Sequence, residues 1–314
     1  MSSNRSKVLL VSVLAVFAVS AVASAGAQAD PWWIVKCHKV SVAGTGRYAN
    51  AACTTLGAPK EYDTRLLAGE TRTTTSKNVS AVFKLKTSLL TIECTVEKTT
   101  GAAAENEIIG GWPGTDKSEV IFEKCAVAGK TVETCGAATA GKGAGIIGPF
   151  KVKTLLGFPK GKAGGTGEAY DQFFPTPSET EFTSFVLTGT ACGALKEYKV
   201  KVLATGTKVT EPKFESKCGV IARVGKIVAG AFKKTESGEL AKEGGLEFPA
   251  KGTSTEYTEE EVWNPKTEKY EVVKCGLEAE ILNSTGGLVG KVPAEEIGVA
   301  KVELVSGEEF GWEA

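Results

Sequence analysis

The chain has 314 residues, 24% of them charged, and its 37 basic side chains balance its 37 acidic ones. Such a balance argues against binding to nucleic acid or to an anionic membrane surface. His38 is the only histidine and the four aspartates are scattered, which excludes multi-histidine zinc sites and calcium loops of the D-x-D-x-D-G type. A Ser-His-Asp triad would have to use His38. We therefore predict no catalytic, cofactor or metal site.

Residues 1–25 have the pattern of a secretory signal peptide. Arg5 and Lys7 precede an apolar run over 8–23, and Ala23-Ser24-Ala25 is a small-residue cleavage pattern, with a second one ending at Ala29. The run is shorter than the ~20 residues that a membrane-spanning helix needs. We expect an exported protein that is not held in the membrane after cleavage, with a net charge of −2 if cleavage follows Ala25.

Residues 30–75 form a predicted N-terminal segment closed by a disulfide. Trp33, Val35 and Cys37 share one face of a short strand, and Cys53 follows Cys37 by 16 residues, a good length for a local crosslink. Trp32 and Trp33 are the candidate ligand-binding residues, as a stacking platform for a sugar. An aromatic pair beside a disulfide is also typical of core packing.

Cysteine usage supports an oxidising location. The even number of cysteines after the signal peptide predicts four disulfides, and the absence of C-x-x-C spacing argues against zinc knuckles and thioredoxin-like centres. The eight are Cys37, Cys53, Cys94, Cys125, Cys135, Cys192, Cys218 and Cys275. Besides Cys37–Cys53, we predict that Cys125–Cys135 clamps a hairpin. The other four leave three pairings open.

Residues 76–158 read as a first β unit. A short alternating strand around Phe83 is followed by 89–97, the clearest strand of the chain, and a loop over 99–115 leads to a further strand at 119–125. In the clearest strand, Leu90, Ile92, Cys94 and Val96 are predicted to face the core, and Thr91, Glu93, Thr95 and Glu97 to face water.

The sequence from Gly143 to Gly148 matches the dinucleotide-binding pattern G-x-G-x-x-G. That function needs a helix to begin inside the motif, whereas Pro149-Phe150-Lys151-Val152 is an extended pattern. We predict a glycine-rich turn into a strand.

Residues 159–180 are the best candidate for a long loop or linker, and 181–314 read as a second β unit. Strand patterns recur there, including a hairpin of 257–263 with 269–275. Separate domains and one continuous domain with 76–158 both remain open. With no long helical stripe and short turns throughout, we predict an all-β fold, an antiparallel sandwich or barrel with a disulfide-stapled N-terminal extension.

These residues also carry a resemblance. Thr45-Gly46-Arg47-Tyr48 with Cys53-Thr54, the stretch 90–94, the stretch 120–125 and Cys135-Gly136 resemble a large, uncharacterised group of secreted actinobacterial proteins. The resemblance covers about Trp32 to Leu156 and departs around Cys218 and Cys275. It implies secretion and a β-rich fold, and it implies no activity.

The function predicted from these observations is that of a secreted, non-catalytic extracellular or cell-wall-associated protein with a structural or binding role. Its partner would be a cell-wall polysaccharide or another surface protein. One alternative is a carbohydrate-binding module that uses exposed tryptophans among Trp32, Trp33, Trp112, Trp263 and Trp312. A second is a glutamate-based glycoside hydrolase using Glu259 and Glu261, although a charge run on a strand is more typical of a solvated face.

Overall fold

The computed structural model describes residues 32–78, 81–111, 114–157, 170–176, 181–206, 220–225, 244–248, 259–264, 269–308 and 310–313. The predicted signal peptide lies outside these residues. Helical structure in the described part of the chain comprises α1 (Val132–Cys135) and two 3₁₀ segments, Ala103–Glu105 and Thr190–Glu197. No helix described here has the length and apolar character needed to cross a membrane.

The rest of the regular structure is β. The strands are β1 (Trp32–Lys39), β2 (Tyr62–Arg65), β3 (Thr71–Asn78), β4 (Phe83–Thr87), β5 (Thr91–Thr99), β6 (Glu107–Ile109), β7 (Thr115–Val127), β8 (Gly136–Ala138), β9 (Ile147–Gly157), β10 (Tyr170–Thr176), β11 (Glu181–Thr188), β12 (Lys199–Gly206), β13 (Val220–Gly225), β14 (Gly244–Phe248), β15 (Glu259–Asn264), β16 (Lys269–Leu282), β17 (Leu288–Leu304) and β18 (Phe310–Glu313). All pairings among these strands are antiparallel, which confirms the predicted all-β antiparallel fold.

The large sheet turns back on itself at two levels. One path of hydrogen-bonded strands runs β5–β4–β17–β16–β12–β11–β8–β7 and returns to β5; we call it the upper ring. A second path runs β3–β6–β7–β9–β10–β13–β14–β17 and returns to β3; we call it the lower ring. The long strands β7 and β17 belong to both rings, so the two levels form one continuous wall.

A shared irregularity in β5 and β7 breaks the alternation of the clearest strand. Lys124 on β7 has φ of 55°, a left-handed conformation, and the pair Thr95–Lys124 is missing from the β5–β7 ladder, whose register is otherwise unbroken. On either side of this point Cys94 and Glu97, three residues apart on β5, are both buried, while Thr95 between them is exposed. The predicted exposure of Glu97 is therefore wrong. Ile92 and Cys94 face the core as predicted.

Asn78 completes the backbone hydrogen bonding where β5 passes from β4 to β3. The Asn78 side chain accepts a hydrogen bond from the Glu97 amide at 3.2 Å and donates one to the Thr95 carbonyl at 3.0 Å. The Asn78 side-chain amide thus makes the two hydrogen bonds to β5 that the backbone of a neighbouring strand would otherwise make, at the level where the upper ring meets the lower ring.

Three disulfides are described. Cys37–Cys53 closes the N-terminal segment as predicted. The predicted Cys125–Cys135 bond is wrong, because Cys125 pairs with Cys94 across β5 and β7, and Cys135 pairs with Cys192. Residue register explains the first change, since Cys94 and Cys125 are direct partners on adjacent strands. The side chains of Cys218 and Cys275 lie outside the described residues.

Several local predictions can be compared directly with the structure. The glycine motif at 143–148 is a turn into β9, as predicted, with Gly145 and Gly148 at positive φ. The β15–β16 hairpin is present. Within the predicted loops, residues 107–109 form β6 and residues 170–176 form β10, which pairs with β9. Each ring contains strands from both predicted β units.

The N-terminal segment packs as a small sheet, with β1 between β2 and β18. Its Thr45-Gly46-Arg47-Tyr48 motif is held by a buried carboxylate: the Arg47 guanidinium donates hydrogen bonds to Asp63 Oδ1 at 2.8 Å and to Thr64 Oγ1 at 2.6 Å. Gly46 is required because a Cβ there would lie 2.4 Å from the Tyr62 carbonyl oxygen. This segment covers one end of the lower ring, with Trp33 and Val35 packed against Ile108 of β6.

Candidate functional site

The interior of the upper ring contains an apolar cavity, the upper chamber, with a volume of about 90 Å³. A single water needs only about 15 Å³ on this scale, so the chamber has room for a small molecule. Its lining is contributed by strands on all sides of the ring together with β9 and β10. The lining residues are Phe83, Leu85, Ile92, Cys94, Glu97, Val120, Phe122, Ile147, Phe150, Val152, Phe173, Phe182, Thr183, Phe185, Val202, Leu277 and Glu296.

Aromatic rings form much of this wall. Phe83 and Phe122 have ring centroids 5.5 Å apart, Phe122 and Phe150 are stacked at 6.0 Å, and Phe150 meets Phe182 edge-on at 6.5 Å. Gly298 of β17 makes the arrangement feasible, because a Cβ at this position would lie 2.1 Å from the Phe83 ring. The chamber is thus bounded by ring faces and edges that present both apolar surface and π-electron density.

A second cavity, the lower chamber, has a volume of about 70 Å³ and lies inside the lower ring. It is more polar, since hydroxyl side chains face it. Its lining residues are Trp33, Thr74, Ser76, Glu97, Thr99, Ile108, Asp116, Ser118, Val120, Phe173, Ala300, Val302 and Phe310. Glu97, Val120 and Phe173 line both chambers, so the two spaces adjoin at these three side chains.

Glu97 lies at the junction, and one of its two carboxylate oxygens has no hydrogen-bond partner among the described residues. The side chain is 4% exposed. Its Oε1 accepts a hydrogen bond from the Ser76 hydroxyl at 2.8 Å, and its Oε2 has no hydrogen-bond partner among the described residues. Burial raises the pKa of Glu97 to about 7, against the lowering effect of the Ser76 hydrogen bond. A buried acid with a free oxygen is costly to the fold and is suited to an interaction with something that enters the chamber.

Two further acids face the same spaces. Burial, and in addition the charge of Glu97, raises the pKa of Glu296 to about 8. Burial raises the pKa of Asp116 to about 7, opposed by a hydrogen bond from Thr154 Oγ1 to Asp116 Oδ2. None of the described residues that line the two chambers is Lys, Arg or His. The lining that the structure describes is therefore acidic and carries no cation.

The N-terminal segment closes the lower chamber. Trp33 lies in its wall, 3% exposed, and its indole N–H donates a hydrogen bond to the Thr115 carbonyl at the start of β7 at 2.8 Å. Phe310 of β18 packs against the Trp33 ring with centroids 6.0 Å apart. Residues of β1 and β18, the first and last strands described, therefore form part of the wall of the lower chamber.

These positions bear on the two sequence-predicted ligand-binding residues. Trp33 is in the core, so its ring faces are not available for stacking on a surface sugar. Trp32 is half-buried, with the Arg65 guanidinium 5.6 Å from its ring centroid. Trp112 and the side chains of Trp263 and Trp312 lie outside the described residues. The side chains of Glu259 and Glu261 lie outside them as well.

His38 has a partner, but the pair does not form a nucleophile–base arrangement. His38 Nε2 lies 2.9 Å from Glu70 Oε2, and its Nδ1 has no hydrogen-bond partner among the described residues. Burial by itself would raise the pKa of Glu70, but hydrogen bonds from His38 and from the Leu67 and Ser41 amides lower it overall. The pair ties β1 to the turn before β3. In the described part of the chain no three His, Cys, Asp or Glu side chains are placed to hold a metal ion.

The sequence interpretation missed all three acids of the chambers. Glu97 was assigned to the solvent face because the irregularity at Lys124 is invisible in the β5 sequence. For Glu296 a signal was present: Glu295 and Glu296 are adjacent on one strand, and strand alternation places one of two neighbours inward. No sequence pattern around Asp116 predicted that its side chain lines a cavity.

Comparisons with known proteins found no matching family model, no matching curated protein and no matching solved structure. Three disulfides in an all-β domain are consistent with an extracellular, oxidising environment.

Proposed function

We propose that this protein is an exported, non-catalytic binding protein that holds a small, mainly apolar molecule in the two adjoining chambers of its double ring. The observation that carries the proposal is the upper chamber itself: about 90 Å³ of space bounded largely by phenylalanine rings. Protein interiors are otherwise packed as densely as organic crystals, and a void of this size costs about 2 kcal/mol.

The wall around this space is well supported, which fits a cavity that is kept open for use. Cys94–Cys125 joins two strands that line it or flank it, and Cys135–Cys192 ties the segment before β8 to the segment after β11. Export is supported by these disulfides and by the leader pattern at 1–25. Membership in the secreted actinobacterial group suggested by the sequence remains part of the same proposal.

The position of the acids favours binding over glycoside hydrolysis. A polysaccharide chain needs a cleft with carboxyl groups on both sides of the scissile bond. Glu97 is instead buried among phenylalanines, where a small ligand fits and a polymer does not. A wall polysaccharide or surface protein as partner is an alternative that does not use the internal site, and it predicts no saturable shifts at the chamber residues in the experiment below.

The test is a titration of the mature, oxidised protein with hexan-1-ol, followed by the NMR signals of its methyl groups. We expect saturable shifts at Ile92, Val202 and Leu277, which line the upper chamber. Val120→Phe fills the junction of the chambers and should abolish the shifts. Val42→Phe is the matched control, because Val42 is 60% exposed. Absence of saturable shifts, or equal shifts in Val120→Phe, would contradict the proposed function.

A further inference from the structure

We propose that the molecule held in the chambers is an apolar amine whose ammonium group lies at Glu97, between Glu296 and the Ser76 hydroxyl, with its carbon skeleton among the phenylalanines of the upper chamber. This inference rests on the proposed function and names the chemical class of its ligand.

Glu97 offers a ligand one carboxylate oxygen that has no hydrogen-bond partner among the described residues. Glu97 is 4% exposed, faces both chambers, and uses only Oε1 in a hydrogen bond with a side chain of the protein. Oε2 has no hydrogen-bond partner among the described residues. An ammonium group has three N–H donors and no acceptor, so it would satisfy this oxygen and bring the missing positive charge.

The described surroundings of Glu97 carry negative charge. Among the described residues, the ionisable groups that face this space are Glu97 from β5, Glu296 from β17 and Asp116 from β7, while β3 contributes the Ser76 hydroxyl. These three groups are acids, and their like charges oppose one another. A carboxylate ligand would add to that repulsion, and a neutral alcohol would leave it unchanged. A cation removes it.

The wall of the upper chamber suits both ends of an apolar amine. Phe83, Phe122 and Phe150 form a chain of contacting rings beside the acids. Aromatic faces attract cations through their quadrupole, and they also provide apolar contact for a hydrocarbon skeleton. One wall therefore serves both parts of an apolar amine, and the carboxylates define the end at which its nitrogen lies.

Protonation gives the binding a characteristic dependence on pH. In the empty protein burial raises the pKa of Glu97 to about 7, and burial with the charge of Glu97 raises the pKa of Glu296 to about 8. An ammonium ion must displace these protons, so its affinity should rise as the pH increases from 5.5 to 8. A neutral ligand of the same size should show little change over this range.

The experiment compares hexylamine, hexan-1-ol and hexanoate by isothermal titration calorimetry with the mature, oxidised protein. At pH 7.5 we expect the amine to bind at least tenfold more tightly than the alcohol, and the acid more weakly than both. Glu97→Gln should weaken amine binding at least tenfold and change alcohol binding less than twofold. Glu296→Gln is a second variant with the same expected direction.

The matched control is Glu93→Gln. Glu93 is on the same strand but pairs with Lys84 at 2.7 Å and does not line either chamber. The Glu93→Gln substitution removes the same formal charge as Glu97→Gln and should change amine binding less than twofold. Alcohol binding as tight as amine binding, or an amine affinity unchanged in both chamber variants, would overturn the amine inference and leave the proposed function standing. Failure of all three compounds to bind would overturn the proposed function.

Discussion

Glu97 and Glu296 come from strands that are far apart in sequence, and the charge of Glu97 contributes, after burial, to raising the pKa of Glu296 to about 8. Both side chains line the upper chamber. Two acids that share an apolar space cannot both ionise without cost, because each charge loses its hydration and repels the other. This relationship couples the stability of the protein to pH.

We predict that the free energy of unfolding decreases between pH 5 and pH 8. Glu97 has a pKa of about 7 in the folded protein against an ordinary value of 4.5, so the folded state holds a proton that the unfolded chain releases. Stability from this group is present below the unfolded pKa and is lost as the pH rises through the folded pKa. The loss should amount to about 2–3 kcal/mol.

Urea unfolding at four pH values between 5 and 8 measures this effect. Glu97→Gln should reduce the slope of the profile, because the amide carries no proton to lose while Glu296 and Asp116 still titrate with raised pKa values. Glu93→Gln should leave the slope as it is. A profile that is flat or rising in the unaltered protein would show that Glu97 ionises normally in the fold.

We predict that Gly298→Ala destabilises the upper chamber. The added Cβ would meet the Phe83 ring at 2.1 Å, and Phe83 is itself buried against Phe122. The ring must move into the cavity, which should cost about 2–3 kcal/mol and reduce hexan-1-ol binding. Gly290→Ala on the same strand is the control, since nothing lies within 4 Å of a Cβ there. Equal stability of the two variants in thermal unfolding would contradict the packing described here.

We predict that the purified protein contains the disulfides Cys94–Cys125 and Cys135–Cys192 in addition to Cys37–Cys53. Proteolysis under non-reducing conditions followed by mass spectrometry should recover both linked peptide pairs. Replacing Cys135 and Cys192 by alanine opens a loop of 57 residues and should cost about 4 kcal/mol, against about 3 kcal/mol for the 16-residue loop of Cys37–Cys53. A peptide linking Cys125 to Cys135 would refute the strand register of β5 and β7.

We predict that Asp63→Ala loosens the N-terminal segment. Asp63 is fully buried, and its Oδ1 accepts hydrogen bonds from the Arg47 side chain and the Arg65 amide, each at 2.8 Å. Removing the carboxylate leaves the Arg47 guanidinium without its anion, which should cost about 3 kcal/mol.

The control for that variant is Glu61→Ala, whose exposed pair with Lys39 at 3.5 Å should be worth less than about 0.5 kcal/mol. Amide hydrogen exchange on β1 and β2 reports the local effect. Unchanged protection in Asp63→Ala would show that the buried ion pair does not hold the motif from Thr45 to Tyr48.

Prediction from the sequence succeeded where the information is local. Ile92 and Cys94 share one face of their strand, and so do Val200 and Val202, because successive side chains of a strand point to opposite faces. Each of these four residues is buried, as the alternation predicted. The Cys37–Cys53 bond was also predictable, because a short loop brings its ends together with little entropy to lose.

Prediction failed where the outcome depends on distant strands. Glu97 follows the alternation of β5 in the sequence, but its direction is set jointly with Lys124 of β7. Cys125 has Cys135 nearer along the chain, yet the register of β5 against β7 places Cys94 beside it. In both cases the deciding contact lies across a strand pair whose register is not encoded in either strand alone.

The amino-acid sequence by itself determined that the chain forms strands, because the two-residue period of apolar side chains is read within each segment. It also indicated that they pair antiparallel, because the turns between them are too short for parallel crossovers. Only the tertiary structure decided that β7 and β17 join two rings, and that Glu97, Glu296 and six phenylalanines meet around one chamber. A cavity is a property of the space between strands. Its shape follows from ring closure and register, which arise when segments separated by more than 200 residues come to pair.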